Sequence, residues 1–578
     1  MAGLPELLSS ALQPAFDRLE AGADPVVRPS TRPGVDFQAN GAMPLAKRLG
    51  RRPAAVADDV ARVAALDELC SAVEVTPQGF INLTLSDSWL AERLGAHAAD
   101  PRLGVARVAD PMTVVVDYSA PNVAKEMHVG HLRTTVIGDS LCRLLAFAGH
   151  TVIRENHVGD WGTPFGMLIE HLIDIGEEEA AHELSVGDLD TFYREARAAF
   201  DDSPAFQERS RNRVVLLQSG DPETLRLWHV LVDQSIAYFQ AVYDRLEVLL
   251  TPGDVIGESF YNDLLPVVVR ELDERGLLVV SDGARCVFPA GFENRDGSPL
   301  PLIVQKSDGG FGYPATDLAA LRDRFGRLGA DLALYVIGAP QAQHLAMCFA
   351  VGHSAGYLPS PGQAVHVPFG NMLGADRKMF KTRAGGTVKL VDLLDEAVAR
   401  AGAAVAERSE LDAEERAAVA RQVGMGALKY ADLSTDRIRD YVFDYDRMLS
   451  FDGNTAPYLQ YARVRCLSIF RRAGLDAVTY MDGSVRVGLG EPAERDLAVA
   501  LLGFAAAIDD TLATWSPHKL CAYLFDLAGL YTTFFECCPV LKAPTEDQRD
   551  SRLVLCALTA ATLGLGLSVL GIEAPERM

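Results

Sequence analysis

Apolar and polar positions in the stretch 112–155 predict a strand, a loop, a helix and a second strand. The run Met112–Asp117 is mostly apolar, which predicts a buried strand. A Pro–Asn pair then breaks the pattern. Over residues 132–148, apolar side chains recur about every three to five positions, as on one face of an amphipathic helix. Because a second apolar stretch begins at Thr151, the order predicts a βαβ unit.

The same patterning divides the rest of the chain into parts of different character. Residues 1–108 mix predicted helices at Leu4–Leu19 and Ala42–Gly50 with paired strands near 73–75 and 79–83. The second half of the α/β part is predicted as a strand over 302–307, a helix over 313–325, a central parallel strand over Leu332–Ile337, a turn and helix start over 338–344 and a strand end over 365–370. The last part carries helical stripes over 393–405, 414–430, 458–473, 494–512, 520–535 and 551–570, a pattern typical of a helix bundle.

The loop His128–His131 is the first candidate for chemistry. It follows a predicted strand and precedes a helix, and open α/β sheets bind ligands at this end of their strands. The free N–H groups of a helix start suit phosphate, and His128 and His131 can donate hydrogen bonds to its oxygens. Gly130 removes a side chain where a flat base can approach the backbone. Two histidines at this spacing are more often structural or metal-related, so the strand–loop–helix setting carries the interpretation.

Composition limits the function classes that remain. The 578 residues include 54 Lys and Arg against 78 Asp and Glu, a net charge of −24, which argues weakly against nonspecific nucleic-acid binding. The nine cysteines form no CxxC pair and no Cys/His cluster in sequence, so we expect reduced thiols, a cytoplasmic location and no structural zinc. The start of the chain lacks the pattern of a signal peptide. The apolar stretch 553–570 is interpreted as a core helix rather than a membrane span, and we expect no membrane association.

Several strings resemble the arginyl-tRNA synthetases, a family of class I aminoacyl-tRNA synthetases. SAPNVAK, HVGHLR and NHVGDWGTPFG resemble their active-site strings, and KMFKTR resembles the class I KMSKS loop, with Phe380 in place of its serine. DFQANG, PLAKRLG and GFINLTL resemble the N-terminal domain that contacts the outer corner of tRNA, and GNTAPYLQYARVR and VLGIEAPERM resemble the anticodon-binding domain.

The resemblance implies both a fold and a reaction. It implies an α/β fold: a Rossmann-type parallel-sheet catalytic domain over 109–395 with an insertion at about 176–300, an N-terminal α+β domain over 1–108 and a C-terminal all-helical bundle over 396–578. It implies activation of L-arginine by ATP with Mg²⁺ and transfer of arginine to the 3′ end of tRNA(Arg). It also implies a monomer whose activation step depends on tRNA.

The resemblance carries roles onto matching residues of this chain. The catalytic residues are His128, His131, Lys378 and Lys381. ATP is expected to meet Lys125, His128, Gly130, His131, His366, Met372, Lys378 and Lys381. Arginine is expected to meet Asp117, Asn122, His128, Tyr313, Asp317 and Gln341. The tRNA is expected to meet Lys47, Arg48, Tyr458, Tyr461 and Arg463.

The chemistry of the substrate favours the acidic residues in these sets. A guanidinium group has five donors in a fixed fork, best met by carboxylate and carbonyl oxygens. Asp317 follows Tyr313 by one helical turn, which places both on one face if the segment is helical. Simpler interpretations stay open: Asp317 as a helix cap, Gln341 as a helix-start residue, the tyrosines near 460 as core residues and the basic segments as solvated surface.

Alternative functions predict other features. A cysteine-specific class I enzyme needs a zinc-ligand set, and a glutamate-specific one needs an arginine-lined pocket, which Asp317 opposes. A small nucleotidylyltransferase does not account for the terminal helical part. A noncatalytic RNA-binding relative should have lost the histidines or the basic loop, and both are present.

Overall fold

The structure, a computed structural model, describes residues 3–176, 189–360, 362–378, 380, 388–406 and 411–578. The chain divides into two units that are described separately. Unit 1 comprises Met1–Arg107, Ala401–Tyr430 and Arg447–Met578, and unit 2 comprises Val108–Arg400 and Ala431–Asp446.

The N-terminal part of unit 1 is an α+β fold, as predicted. Its elements are α1 (Leu4–Asp17), β1 (Val27–Pro29), β2 (Phe37–Ala39), α2 (Ala42–Leu49), α3 (Pro53–Val63), β3 (Cys70–Val75), β4 (Ile81–Leu85) and α4 (Asp87–Ala98). The strands form an antiparallel sheet in the order β1-β2-β4-β3. The predicted pairing of β3 with β4 is confirmed, with Glu74 opposite Asn82.

Unit 2 carries the α/β fold. Its elements are β5 (Thr113–Asp117), α5 (Val129–Ala148), β6 (Thr151–Glu155), α6 (Pro164–Ile175), α7 (Leu189–Asp202), α8 (Pro204–Ser219), α9 (Pro222–Leu246), α10 (Leu265–Glu274), β7 (Val279–Ser281), β8 (Ala284–Val287), β9 (Leu302–Gln305), α11 (Tyr313–Gly326), β10 (Leu332–Tyr335), α12 (Ala342–Ser354), β11 (Ala364–His366) and β12 (Met372–Leu373). Short 3₁₀ turns lie at Pro252–Asp254, Glu258–Leu264 and Ala339–Gln341.

A four-stranded parallel sheet forms the centre of unit 2. Its order is β11-β10-β5-β6, so the chain adds β6 on one side of β5 and β10 on the other. The predicted βαβ unit and the predicted central strand β10 are both confirmed. The strand order reverses between β5 and β10, and such a switch point opens a crevice at the carboxyl ends of the strands. One register row crosses the sheet at that end, formed by His366, Tyr335, Asp117 and Glu155.

The strand predicted over 302–307 belongs to a different sheet. It is β9, which pairs antiparallel with β8 in the order β7-β8-β9. The turn between β7 and β8 is short, and a short turn favours antiparallel neighbours over a parallel crossover. The other two strands of this sheet, β7 and β8, lie within the segment identified as an insertion.

The remaining elements are almost wholly helical. They are α13 (Leu390–Ala406), α14 (Ala413–Leu433), β13 (Tyr441–Val442), α15 (Tyr445–Met448), α16 (Ala456–Ala473), α17 (Pro492–Leu501), α18 (Phe504–Thr514), α19 (His518–Cys537) and α20 (Glu546–Val569), with a 3₁₀ turn at Ala477–Tyr480. Within unit 2, β13 pairs with β12. The single helix predicted over 494–512 is instead two helices, α17 and α18, which are bent by 40° at their junction. Gly503 lies at the junction, and glycine is a weak helix former.

Helix α20 has the length and apolar composition of a membrane span, and it is the only such helix within the described ranges. In its apolar window, 78% of the residues are buried inside the fold. Its buried positions include Leu553, Leu563 and Leu567. The stretch therefore forms a core helix of unit 1, as predicted.

Gly138 lets α5 pack closely on the segment after β5, and this gives a test of the packing. A Cβ atom at Gly138 would lie 2.3 Å from Tyr118 Cγ, and Tyr118 is fully buried. We expect Gly138→Ala to lower the free energy of unfolding by roughly 1–3 kcal/mol, because overpacking outweighs the better helix propensity of alanine. Thermal and urea unfolding measure the change in the transition that reports on unit 2, where both residues lie.

Gly326 is the matched control, because it ends α11 with no atom within 4 Å of an added Cβ. Gly326→Ala should be neutral or stabilising by up to about 1 kcal/mol. A Gly138→Ala protein as stable as the Gly326→Ala protein would contradict the packing described here.

Candidate functional site

The start of α5 is built by the two histidines of HVGH. His128 is the N-cap residue; its Nδ1 accepts a hydrogen bond from the Gly130 N–H, and His131 Nδ1 accepts one from the His128 N–H, both at 3.0 Å. An Nδ1 that accepts carries no proton, so in a neutral ring the proton lies on Nε2. Burial lowers the pKa of His131 to about 3 and also lowers the pKa of His128. Both rings are therefore neutral at pH 7, each with an Nε2–H donor.

Gly130 serves this cap directly. A Cβ at Gly130 would lie 2.8 Å from His128 Cε1, too close for the ring to keep its place. The sequence-based reason for Gly130 was access for a flat base. The structure adds a nearer reason, which is room for the His128 ring.

At the switch point, Asp117 is held by a buried arginine that the sequence did not single out. Arg324 Nη2 donates to Asp117 Oδ2 at 2.7 Å, and Arg324 Nε donates to Glu155 Oε2 at 2.6 Å. The guanidinium also lies over the Tyr335 ring at 4.7 Å. Asp117 Oδ1 is buried and has no hydrogen-bond partner among the described residues. One oxygen of Asp117 is thus engaged within the fold, and the other has no partner among the described residues.

Three further acidic residues interact with one another. Asp317 lies in α11, Glu258 lies in the 3₁₀ turn before α10, and Asp160 lies in the loop after β6. The Asp317 Oδ2 atom lies 2.5 Å from His344 Nε2, and this hydrogen bond raises the pKa of His344. Burial, followed by the negative charges of Asp160 and Asp317, raises the pKa of Glu258 to about 7. Burial also raises the pKa of Asp160, which accepts two hydrogen bonds from Ser259. We call Asp160, Glu258 and Asp317 the acidic cluster.

Glu258 was missed by the sequence interpretation. It lies in the predicted insertion, far in sequence from both the HVGH loop and Asp317, and nothing local distinguishes it from other acidic residues there. Asp160 lies in NHVGDWG, part of a string that resembles the family's active site, and we treat this segment as a wall of the site. Its carbonyl also accepts a hydrogen bond from Trp228 Nε1 at 2.8 Å, which ties that wall to α9.

The other residues expected to bind arginine lie on loops and helix starts of unit 2. Tyr313 is the first residue of α11 and is 72% exposed, one turn before Asp317. Asn122 is exposed and packs against Gly159, where a Cβ would lie 2.3 Å from Asn122 Oδ1. Gln341 is exposed at the end of the 3₁₀ turn that follows β10. They differ from Asp117 in being open to solvent.

The residues expected at the adenine are more enclosed. His366 is half-buried, with Nε2 at 2.8 Å from the carbonyl of Ile337. Burial lowers its pKa, so the neutral ring donates this hydrogen bond. Met372 is 4% exposed in β12. We therefore expect backbone groups near these residues, rather than their side chains, to be open to a base.

The described residues in and after the KMFKTR string make contacts within unit 2. Within the string, the Phe380 ring lies 5.0 Å from the Phe443 ring. After it, the Val129 N–H donates to the Val388 carbonyl and the Leu390 N–H donates to the Met127 carbonyl. Val388 and Leu390 thus lie directly against the start of HVGH. This placement fits a phosphate site near the basic string that precedes them.

The predicted lysines have different surroundings. Lys378 is exposed, and its backbone N–H donates to Asp376 at 3.0 Å. Lys125 Nζ lies over the Tyr193 ring at 4.5 Å, a cation–π contact. Lys381 lies outside the described residues.

The arginine of HVGHLR also has a structural role. Arg133 is buried, donates from Nε to Asp432 at 3.1 Å and donates to the carbonyls of Arg437 and Arg439. These contacts hold α5 against the segment that includes β13, the partner of β12. The position of α5 relative to β12 and β13 therefore depends on a buried ion pair.

Three residues could hold a metal ion by distance. The ligand atoms of Asp317, His344 and Cys348 lie within 4.8 Å of one another, a grouping not visible in the sequence. Metal binding needs a thiolate, and burial holds the pKa of Cys348 well above its ordinary value. His344 Nε2 is also engaged with Asp317. The donor set fits a protonated, hydrogen-bonded cluster better than a metal site.

In unit 1, the residues expected to contact tRNA are not equivalent. Lys47 is exposed, and Arg48 is exposed but pairs with Glu20 at 2.7 Å. Tyr461 is 45% exposed, whereas Tyr458 is half-buried against the Phe525 ring.

The Arg463 side chain is partly engaged within the fold. Its Nη1 donates to the carbonyls of Ala574 and Pro575 at 3.2 and 3.0 Å. Burial lowers its pKa. Arg463 thus holds the last residues of the chain against α16, and its contact with RNA stays a prediction.

Family models match three parts of the chain. Residues 98–445 match "tRNA synthetases class I (R), catalytic domain", and residues 459–578 match "DALR anticodon binding domain". Residues 3–85 match "Arginyl tRNA synthetase N terminal domain".

Similar proteins span nearly the whole chain. The arginine–tRNA ligase of Thermobifida fusca is 53% identical, over 99% of this chain and 98% of that protein. The arginine–tRNA ligase of Synechococcus is 49% identical, over 100% of this chain and 99% of that protein. The crystal structure of the arginyl-tRNA synthetase from Plasmodium falciparum is 28% identical with a TM-score of 0.87, and each chain is covered completely.

Proposed function

The chain belongs to the arginyl-tRNA synthetases, class I aminoacyl-tRNA synthetases, and on this premise we propose how its residues carry out the reaction. The activity is the ligation of arginine to tRNA(Arg) in protein synthesis. Arginine is first activated with ATP to arginyl-adenylate, with release of pyrophosphate. The arginyl group is then transferred to the 3′ end of the tRNA.

The observation that carries the proposed site is the pairing of two unlike groups in unit 2. One is a helix start with two neutral imidazole N–H donors, suited to an anionic phosphate. The other is the acidic cluster, suited to a guanidinium cation. A site that joins a cationic amino acid to a nucleotide phosphate needs both.

The activation step requires positioning more than proton transfer. The carboxylate of arginine is already a nucleophile, and it attacks the α-phosphate while pyrophosphate leaves. Negative charge grows on the phosphate oxygens, where the Nε2–H groups of His128 and His131 donate hydrogen bonds. Lys125, Lys378 and Lys381 supply positive charge along the phosphates. Mg²⁺ enters as part of the ATP substrate and offsets their charge.

Arginine is bound at both of its ends. The buried Asp117 Oδ1 accepts from the substrate ammonium group, and Asn122 and Gln341 orient this end by hydrogen bonds. Asp317 and Glu258 accept from the guanidinium donors. Tyr313 covers the guanidinium from the start of α11.

Adenine recognition and tRNA contact complete the proposal. His366 and Met372 border the adenine through nearby backbone groups, and Gly130 leaves room beside the His128 ring. Lys47, Arg48, Tyr458, Tyr461 and Arg463 contribute to RNA contact. The proposed parts are 1–108 for the tRNA corner, 109–395 for catalysis and 396–578 for the anticodon. The protein is proposed to act in the cytoplasm as a monomer, without structural zinc.

Charging of tRNA(Arg) with arginine and with citrulline tests the pocket. Citrulline has nearly the shape of arginine but no charge, so it leaves the carboxylates of the acidic cluster unpaired. We expect arginine to be preferred by a factor of about 10⁴ or more in kcat/KM. Comparable charging with citrulline would contradict an acidic guanidinium pocket.

Glu258 predicts a pH dependence of arginine binding. Its pKa is raised to about 7, so the carboxyl is mostly protonated at pH 6 and mostly ionised at pH 8. Only the ionised form attracts guanidinium, which stays charged throughout, so the KM for arginine should fall as pH rises. The expected fall from pH 6 to 8 is up to about tenfold, the change in the ionised fraction of one group.

The measurement is the KM for arginine from pH 6 to 8 at saturating ATP and tRNA. Glu258→Gln is the control, because an amide does not titrate, and its profile should be flatter. An unchanged slope in the Glu258→Gln protein would assign the pH dependence to another group.

A further inference from the structure

We propose that His344 is a positioning residue for arginine recognition, which holds the Asp317 carboxylate so that its second oxygen meets the substrate guanidinium. The inference rests on the proposed role of Asp317. It adds a residue that does not itself touch arginine and acts through its neighbour.

The hydrogen bond between the two side chains links two helices. His344 lies in the first turn of α12 and Asp317 in the second turn of α11, and Nε2 and Oδ2 are 2.5 Å apart. Both side chains are about one-quarter exposed, at 27% and 25%. The pair therefore borders solvent and is not sealed in the core. A substrate group can reach the carboxylate.

The position of His344 is fixed by close packing further along α12. A Cβ at Gly352 would lie 2.8 Å from Leu321 Cδ1, so α12 approaches α11 at a glycine. One turn beyond His344, the buried Cys348 places Sγ at 3.6 Å from His344 Nε2. His344 Nε2 thus lies next to both the Asp317 carboxylate and the Cys348 thiol, and these contacts fix the direction of its N–H donor.

A carboxylate in this place needs such a partner. The described groups that interact with it are His344, Cys348, Glu258 and Tyr335. The Glu258 carboxylate repels Asp317, and His344 is the only one of these groups that can donate an N–H. With Oδ2 engaged, Oδ1 makes no hydrogen bond with a described side chain and is left for guanidinium. Fixing the carboxylate before arginine binds removes an ordering cost from binding.

The alternative is that the pair only fastens α11 to α12. In that case its loss lowers stability and affects all kinetic constants together. A positioning role instead raises the KM for arginine, leaves the KM for ATP unchanged and vanishes when Asp317 can no longer act. A double-mutant cycle separates these two outcomes.

The experiment compares His344→Leu, which has no donor, with His344→Gln, whose amide N–H can reach Asp317. For His344→Leu we expect the KM for arginine to rise about tenfold, with kcat and the KM for ATP within about twofold. His344→Gln should restore most of the affinity. His353→Gln, on the same helix with Nδ1 near the Leu358 carbonyl, is the control and should leave all three constants unchanged.

The cycle uses Asp317→Asn. In that background, adding His344→Leu should change the KM for arginine by less than about twofold. An equal tenfold rise in both backgrounds, or no rise in the native background, would overturn the positioning role. If His344→Leu does not fold, His344→Asn takes its place, because its shorter amide does not reach Asp317. An Asp317→Asn protein with a normal KM for arginine would instead refute the pocket itself.

Discussion

Replacing His131 with alanine is expected to lower arginine-dependent exchange of pyrophosphate into ATP by roughly 10²–10³-fold while tRNA binding is retained. The loss is large because the Nε2–H donor acts where phosphate charge grows in the transition state. Binding of tRNA is retained because the proposed RNA contacts lie in other parts of the chain. Steady-state exchange and filter binding of labelled tRNA(Arg) measure the two effects.

The dual role of His131 allows a sharper control. Its Nδ1 accepts the hydrogen bond from the His128 N–H, and its Nε2 is the proposed donor. His131→Asn keeps an acceptor near the Nδ1 position, and His131→Gln keeps an N–H near the Nε2 position. Exchange should fall in the asparagine protein and be partly restored in the glutamine protein. The reverse order would show that capping of α5, rather than donation to phosphate, explains the loss.

Replacing Asp317 with asparagine is expected to lower kcat/KM for arginine by roughly 10²–10³-fold, the effect of removing one partner of a hydrogen-bonded charge pair. Asparagine has nearly the same volume, so the loss reports charge and hydrogen bonding. The KM for ATP should stay within about twofold. Charging of tRNA(Arg) over a range of arginine concentrations measures the change.

Asp308→Asn is the matched control, since Asp308 is exposed in the turn before α11 and is not a proposed ligand. It should behave as the unaltered protein. Citrulline supplies a second readout, because the ratio of kcat/KM for arginine to kcat/KM for citrulline should be smaller in the Asp317→Asn protein. A normal arginine KM in that protein would place the guanidinium elsewhere in unit 2.

Local patterns predicted the parts of the site that lie close together in sequence. The strand β5, the HVGH loop and α5 follow one another, so hydrophobic periodicity and a short motif sufficed to place them at a sheet edge. The central strand β10 was also predictable, because it is buried on both faces and wholly apolar.

The pairings between distant residues were not predictable in this way. Arg324 reaches Asp117 and Glu155 from a helix that follows β9, and nothing local marks it as buried. Glu258 comes close to Asp317 because residues 254–258 return to hydrogen-bond with residues 156–158, which follow β6. Such contacts depend on tertiary packing, which single-sequence patterns do not contain.

Arg463 shows a further limit of local patterns. It was predicted to contact RNA, but the sequence did not indicate that its guanidinium also donates to carbonyl oxygens of the chain end. Composition identifies charge, whereas burial decides whether that charge can meet a partner. Tyr461, at 45% exposed, is still available in the same helix.

The most direct test of the central claim is amino-acid-dependent exchange of pyrophosphate into ATP, measured for the twenty amino acids with and without tRNA(Arg). The account predicts exchange with arginine alone among the twenty, and only when tRNA is present. Exchange with arginine in the absence of tRNA would keep the activation site and discard the dependence on tRNA. Exchange with another amino acid, or none with arginine in the presence of tRNA, would contradict the assignment of the acidic cluster and HVGH to arginine activation.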